Sequence, residues 1–239
     1  MKKIFSLLIL ILLCGAVSFV FNFDTLKAES QQSVNSSENE VDYAKLKYAC
    51  LGDSIMDNFN LTYLENEIDF AKTSNYGSSG ATIAVFPDDW NYISVNYVNM
   101  EEDLDIISVM GGTNDFGMRN IPIGEVDSFD NTTFCGALNV IIDGLREKYP
   151  DTFIFFITPY YTFNANCANS QGLVLADYVL AMKRVCYAKN VPLLDFYNNG
   201  GITPENVYQL TSDGVHPTEY FYKNYTATQI AEFIKQNYR

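Results

Sequence analysis

Histidine is almost missing from this chain of 239 residues, which has His216 and no other. A serine hydroxyl is a weak nucleophile until a general base activates it. If this protein activates a serine with a histidine, His216 is therefore the only residue that can be the base. The cysteines form no Cys-x-x-Cys pair and no Cys/His spacing typical of metal sites. We therefore expect no metal and no cofactor.

Positive charge is also scarce, with 15 lysines and arginines against 29 aspartates and glutamates. Residues 1–28 hold three lysines and one aspartate, so removing them takes the net charge from −14 to −16. Such a surface repels phosphate backbones and anionic lipid head groups. Nucleic acid is thus an unexpected partner, and a neutral substrate fits the charge better than a polyanion.

Two phosphate-binding motifs, GxxxxGK[ST] and GxGxxG, are absent from the sequence. The G-x-S-x-G elbow of one large class of α/β hydrolases is absent as well. The serine block closest to that elbow reads Leu51-Gly52-Asp53-Ser54-Ile55-Met56 and lacks the second glycine.

The N-terminus has the pattern of a secretory signal. Lys2 and Lys3 precede an apolar run that extends to about Phe23, and small and polar residues follow up to Ala28. We assign 1–28 to a signal peptide and expect a secreted or cell-surface protein. The run is long enough to span a bilayer, so a retained N-terminal anchor is the alternative, and without one the mature domain needs no membrane. Residues 29–44 are interpreted as a flexible polar linker, and 45–239 as one domain.

Short apolar runs alternate with helix-length segments, which is typical of an α/β fold with a parallel sheet covered by helices on both faces. The predicted strands are 46–51, 70–74, 104–110, 153–157 and 191–196. The predicted helices are 58–68, 90–99, one from 132 or 133 to 148, 171–189 and 217–238. In such sheets ligands bind beyond the carboxyl ends of the strands.

Polar motifs follow the predicted strands and should therefore meet at one edge of the sheet. They are Gly52-Asp53-Ser54-Ile55 after the first strand, a loop ending at Gly80 after the second, Gly111-Gly112-Thr113-Asn114-Asp115 after the third, and Asp213-Gly214-Val215-His216-Pro217 beyond the fifth.

These four blocks, in this order, resemble the SGNH (GDSL-type) serine hydrolases. Each block alone is weak, but together they span 52–217. The resemblance implies a single-domain three-layer α/β/α sandwich with a five-stranded parallel sheet in the flavodoxin-like order 2-1-3-4-5. It also implies an esterase that acts on acyl esters or thioesters.

The resemblance assigns the catalytic roles to Ser54, His216 and Asp213. Ser54 is the nucleophile, His216 carries its proton, and Asp213 fixes the imidazole tautomer. The oxyanion donors are the backbone N–H groups of Ser54 and Gly80 and the side-chain amide of Asn114. Two further carboxylates, Asp53 and Asp115, are expected to order their own loops through local hydrogen bonds.

The substrate is less defined. An aromatic and amide-rich loop at 160–169 favours a carbohydrate ester, with Trp90, Tyr160 and Tyr161 as weak candidates for substrate binding. The first hypothesis is a secreted O-acetyl or short-acyl carbohydrate esterase. The second is a lipolytic acylhydrolase, either a lysophospholipase or a thioesterase. The third is a cell-surface binding module with a dead hydrolase fold. The oligomeric state is left open.

Four cysteines follow the signal: Cys50, Cys135, Cys167 and Cys186. An even number in an exported protein permits disulfides. Buried thiols are nevertheless favoured, because Cys50 lies in a predicted strand and Cys186 in a predicted helix. If a disulfide forms, Cys135 and Cys167 are the first pair to examine.

Overall fold

The computed structural model describes residues 41–87 and 91–239. The predicted signal peptide 1–28, most of the predicted linker and the candidate residue Trp90 lie outside these ranges. Within them, no helix combines the length and apolarity needed to cross a membrane.

A five-stranded parallel sheet forms the centre of the domain, in the order β2-β1-β3-β4-β5. The strands are β1 (Lys47–Gly52), β2 (Lys72–Gly77), β3 (Ile106–Met110), β4 (Phe153–Ile157) and β5 (Leu193–Leu194). This confirms the predicted fold class and strand order. In the register, Cys50 of β1 lies between Asn75 of β2 and Ser108 of β3.

The helices follow the strands in sequence. They are α1 (Ser54–Asp57), α2 (Thr62–Glu65), α3 (Ile93–Asn96), α4 (Thr113–Gly117), α5 (Phe134–Lys148), α6 (Leu175–Ala188), α7 (Phe196–Asn199), α8 (Val207–Leu210), α9 (Glu219–Phe221) and α10 (Ala227–Asn237). Short 3₁₀ turns occupy Tyr43–Lys45 and Tyr97–Asn99, and a π-helical segment, Tyr222–Thr226, joins α9 to α10.

The sheet is buried on both sides by apolar side chains. Every residue of β3 is buried. The ring of Phe155 in β4 packs on Phe233 of α10 with 5.0 Å between centroids. The one polar residue of β3, Ser108, bonds the hydroxyl of Tyr48 at 2.6 Å, so neither buried oxygen lacks a partner.

Two predicted strands differ from the observed ones. The second was predicted at 70–74 but lies at Lys72–Gly77, because Phe70 instead packs on Tyr48 with its ring stacked at 5.4 Å. This edge strand is polar and partly exposed, so hydrophobicity gives a weak signal for it. The fifth was predicted at 191–196 but keeps only Leu193–Leu194, since Asp195 already caps α7 through the N–H of Asn198.

The helix predictions were closest where a cap is present. Thr133, one of the two residues predicted to begin this helix, caps α5 by accepting from the N–H of Gly136. The predicted helix 58–68 is reduced to the single turn α2, and the turn α1 lies before it. The predicted C-terminal helix from Pro217 begins at Glu219, because the Thr218 side chain is the N-cap.

The packed domain begins before residue 45, where the predicted linker was expected to end. The ring of Tyr43 meets Phe70 edge-on at 6.2 Å and approaches Tyr238 at 6.3 Å. Tyr43 therefore belongs to the domain.

Candidate active site

Ser54 lies where β1 ends and α1 begins. Asp53 caps α1 through its Oδ1, which accepts from the N–H of Ile55 at 2.9 Å. Ser54 is the first residue of α1, so its own N–H has no acceptor in a preceding helical turn. The hydroxyl and the N–H of Ser54 are thus presented together at the carboxyl end of the strand.

A continuous chain of hydrogen bonds links the three predicted catalytic side chains. Ser54 Oγ lies 2.8 Å from His216 Nε2, and His216 Nδ1 lies 2.7 Å from Asp213 Oδ2. With the proton on Nδ1, the ring donates to Asp213 and Nε2 can accept the serine proton. The arrangement can therefore carry a proton from Ser54 to His216.

The loop that carries Asp213 and His216 is fixed by its own backbone. Asp213 Oδ1 accepts from the N–H groups of Val215 and His216 at 2.9 and 2.8 Å. Burial raises the pKa of Asp213, but hydrogen bonds from the backbone N–H and side chain of His216 outweigh it, so the pKa lies below its usual range. Gly214 has a φ of +88°, and a Cβ there would lie 2.8 Å from Phe163 Cβ.

The other two predicted oxyanion donors, Gly80 and Asn114, lie beyond the ends of β2 and β3. Gly80 occupies the third position of the turn Ser78–Ala81, which the N–H of Ala81 closes on the carbonyl of Ser78 at 3.0 Å. Its φ of +81° explains the glycine, because a type II turn requires positive φ at that position. Asn114, in α4, donates one amide hydrogen to the carbonyl of Ala81 at 2.8 Å, which fixes the orientation of the amide.

These groups share one cavity of about 320 Å³, which we call the Ser54 pocket. Its lining is Ser54, Asn58, Ser79, Gly80, Asn114, Met118, Val215 and His216. The structure thus brings together the predicted nucleophile, the predicted base and the groups predicted to hold an oxyanion.

Four of these lining residues were not predicted as site residues. Ser79 and Val215 directly precede the predicted residues Gly80 and His216 in the sequence. The other two are Asn58 and Met118. Each lies four residues after a predicted site residue, Ser54 or Asn114, and its backbone N–H bonds the carbonyl of that residue. Residues four apart share a helix face. This spacing is the signal that could have identified both.

The aromatic candidates Tyr160 and Tyr161 do not line the Ser54 pocket. Tyr160 is fully buried, stacks on Phe196 at 4.5 Å and bonds Thr226 Oγ1 at 2.9 Å. The prediction that it binds substrate is wrong, because no surface of its ring is left for a ligand. Tyr161 is almost buried against Tyr197, and Trp90 lies outside the described residues.

Asp115 is buried beside the site. It was predicted to order its own loop, but its hydrogen bonds reach a distant segment of the chain. Its two carboxylate oxygens accept from the N–H groups of Ile83 and Ala84 at 2.9 and 3.0 Å, so it ties α4 to the segment that follows Gly80. Burial raises its pKa to about 7, against the opposing backbone hydrogen bonds and with a contribution from nearby Asp53. Burial likewise raises the pKa of Asp53 to about 6.

The raised pKa of Asp115 predicts a pH-dependent contribution to stability. The folded protein keeps a proton on Asp115 between its ordinary pKa of 3.8 and about 7, whereas the unfolded chain loses it. The stability that the raised pKa of Asp115 contributes is therefore complete below pH 3.8 and is lost as the pH rises through 7. We expect the unfolding free energy of wild type, relative to Asp115→Asn, to fall over this range by up to about 1.4 kcal/mol per pH unit.

Urea denaturation at several pH values measures this difference. Asp130→Asn is the control, because hydrogen bonds from Thr132 lower the pKa of Asp130. The difference in unfolding free energy between wild type and Asp130→Asn should not fall as the pH rises. A pH-independent difference between wild type and Asp115→Asn would contradict the assignment.

The four cysteines of the described ranges are free thiols. Cys50, Cys135 and Cys186 are buried, whereas Cys167 is exposed, so Cys135 and Cys167 are not paired. Burial raises the pKa of the Cys50 and Cys186 thiols to about 12. Across residues 41–87 and 91–239, no cluster of three or more His, Cys, Asp or Glu side chains could hold a metal ion.

The α/β/α sandwich and the Ser54–His216–Asp213 arrangement are those of an SGNH-class hydrolase. Residues 50–223, well over half of the chain, match the GDSL-like Lipase/Acylhydrolase family. The chain belongs to that family, which confirms the resemblance read from the four blocks.

Solved structures with a similar fold include the following three. A protein from Lactobacillus plantarum is 30% identical, with a TM-score of 0.72 and coverage of 81% of this chain and 98% of that one. A lipase/acylhydrolase from Enterococcus faecalis is 17% identical, with a TM-score of 0.57 and coverage of 80% and 96%. An inhibitor-bound aryl esterase from M. smegmatis is 17% identical, with a TM-score of 0.59 and coverage of 80% and 99%. No curated protein sequence matches the chain.

Proposed function

We propose that this acylhydrolase is a serine esterase that removes short acyl groups and that Ser54, His216 and Asp213 are its catalytic residues. The observation that carries the proposal is the unbroken chain from Ser54 Oγ to His216 to Asp213, which opens into a pocket also lined by Gly80 and Asn114. A dead binding module would have no need of this chain.

The proposed reaction has two halves. Ser54 Oγ attacks the ester carbonyl as its proton passes to His216 Nε2, and the carbonyl oxygen becomes an oxyanion. The N–H groups of Ser54 and Gly80 and the amide of Asn114 donate to that oxyanion. His216 returns the proton to the departing alkoxide, which leaves an acyl group on Ser54. A water molecule then attacks the acyl-enzyme, with His216 again taking and returning the proton.

The size and lining of the Ser54 pocket favour a short acyl group. Met118 and Val215 are its only aliphatic or thioether side chains among the described lining residues. They offer little surface to a long hydrocarbon chain, whose transfer from water is worth about 0.8 kcal/mol per buried methylene. An O-acetyl or short-acyl carbohydrate ester is therefore the preferred substrate class, and a lipid ester is the alternative.

The alternative, a lipolytic acylhydrolase, has one observation in its favour. Met118 at the pocket is 52% exposed, and an exposed thioether could extend an apolar surface beyond the pocket. The family description also includes lipases.

A chain-length series of nitrophenyl esters tests the proposal. Turnover should be highest for acetate to butyrate and should fall steeply for longer chains, since only Met118 and Val215 offer apolar side chains among the described residues that line the Ser54 pocket. Ser54→Ala provides the background rate and should be inactive on every ester. A maximum at eight or more carbons would replace the short-acyl proposal with the lipolytic one. An active Ser54→Ala would contradict the serine mechanism itself.

Export is proposed separately, from Lys2, Lys3 and the apolar run that follows them. N-terminal sequencing of the protein recovered from its native cells should begin near residue 29. An intact Met1 in the membrane fraction would instead support the retained anchor.

A further inference from the structure

A second cavity adjoins the Ser54 pocket at His216. It has a volume of about 480 Å³, within the usual range for small-molecule sites. We call it the Glu219 pocket, and its polar lining is Asn58, Asn60, Tyr63, Ser212, His216 and Glu219. His216 and Asn58 also line the Ser54 pocket, so the two cavities meet at the base.

The chemistry of ester cleavage decides which part of a substrate each cavity receives. The predicted oxyanion donors line the Ser54 pocket, so the carbonyl oxygen points there. The departing alkoxide must take its proton from His216 Nε2, so the alcohol has to leave on the histidine side. His216 lines the Glu219 pocket, whereas none of the predicted oxyanion donors does.

The lining of this pocket suits hydroxyl groups. Asn58 and Asn60 carry amides, which both donate and accept hydrogen bonds, and Glu219 carries an acceptor. Tyr63 donates to Glu219 Oε1 at 2.7 Å, which holds the carboxylate in place. Tyr63 and Tyr222 add aromatic rings to the walls.

The charge of the pocket excludes one kind of alcohol. No lysine or arginine is among the described residues that line it, whereas Glu219 supplies a negative charge. A phosphorylated alcohol, such as the glycerophosphate part of a lysophospholipid, would meet this carboxylate with no cation to offset it.

We propose that the Glu219 pocket binds the alcohol part of the ester and that this alcohol is a neutral sugar unit. Glu219, held by Tyr63, accepts hydrogen bonds from the hydroxyls of the sugar and thereby selects it over simple alcohols. This inference rests on the proposed esterase function and assigns it a specificity-determining residue.

The test compares two esters that share an acetyl group and differ only in the alcohol, glucose monoacetate and phenyl acetate. The quantity measured is the ratio of their kcat/KM values in wild type, Glu219→Ala, Glu219→Gln and the control Glu232→Ala. Glu232 is an exposed glutamate on α10 and lines neither pocket. Thermal unfolding of each variant accompanies the kinetics.

We expect Glu219→Ala to lower the ratio at least about tenfold, since a hydrogen bond to a charged group contributes on the order of 1.5–3 kcal/mol. Glu219→Gln should recover part of the loss, because its amide oxygen still accepts hydrogen bonds. The loss should appear mainly in KM for the sugar ester, as expected for an interaction made in both ground and transition states. Glu232→Ala should leave the ratio unchanged.

Four results would overturn the inference. An unchanged ratio in Glu219→Ala would show that the pocket does not hold the alcohol. Equal losses in Glu219→Ala and Glu219→Gln would show that charge matters rather than hydrogen bonding, which indicates a cationic alcohol. Hydrolysis of phenyl acetate by wild type together with no hydrolysis of the sugar ester would remove the sugar while leaving the esterase proposal intact. If wild type cleaves neither ester, both proposals fail.

Discussion

His216→Ala should lower kcat on a short-chain ester by at least about 10⁴-fold, because the chain has no other histidine to take its place. Without the imidazole, nothing accepts the proton of Ser54 and nothing returns it to the leaving alkoxide. Residual activity above the water reaction should remain, since the oxyanion donors are unaffected. Steady-state kinetics measures the loss.

The backbone of the loop should survive this substitution. The bonds that hold it use the N–H and carbonyl of residue 216, namely His216 N–H to Asp213 Oδ1 and Ser212 N–H to His216 O. The unfolding temperature of His216→Ala should therefore stay close to that of wild type. A folded His216→Ala with wild-type turnover would eliminate the mechanism.

The double variant Ser54→Ala/His216→Ala sharpens the test. Residues that act as one unit give non-additive losses. The double variant should be no slower than the slower single variant. A further loss as large as the sum of the two single effects would show that Ser54 and His216 act independently.

Much of the site could be predicted because its residues are local to strand ends. Ser54 lies just beyond a short strand that is buried from Tyr48 to Gly52, and a parallel sheet brings the carboxyl ends of its strands to one edge. Asp213 and His216 lie three residues apart, so their contact needs only a tight loop. These features depend on spacing that is visible in the sequence.

Contacts between distant segments could not be predicted in the same way. Tyr160 was placed at a substrate surface because its loop is polar and aromatic, yet Phe196, Phe221 and Thr226 enclose it. The bonds from Asp115 to Ile83 and Ala84 cross more than thirty residues. Hydrophobic periodicity contains no information about which distant residues cover a given ring or carboxylate.

The Glu219 pocket shows the same limit at the level of function. Asn58 and Asn60 precede α2, whereas Ser212 and Glu219 flank the histidine block more than 150 residues later. Neither segment alone indicates a binding site. Only the packing of the last block against the first makes their polar side chains the walls of one cavity beside His216.

Asp213→Asn should lower kcat by about 10⁴-fold, although it only replaces one carboxylate oxygen with an NH₂ group. Asp213 now uses Oδ1 for two backbone N–H groups and Oδ2 for the ring Nδ1–H. An asparagine that keeps its oxygen on the backbone must turn its NH₂ toward Nδ1. The ring then accepts at Nδ1 and carries its proton on Nε2, which faces Ser54 and can no longer accept the hydroxyl proton.

This loss should be separable from a structural defect. Asp130→Asn is the matched control, since Asp130 also accepts a backbone N–H, from Thr132 at 3.0 Å, and lines neither pocket. Both variants should unfold at similar temperatures, but only Asp213→Asn should lose turnover. If Asp213→Asn kept wild-type kcat, the carboxylate would not be setting the tautomer of His216. If both variants lost turnover together, the effect would lie in loop stability rather than in the proton position.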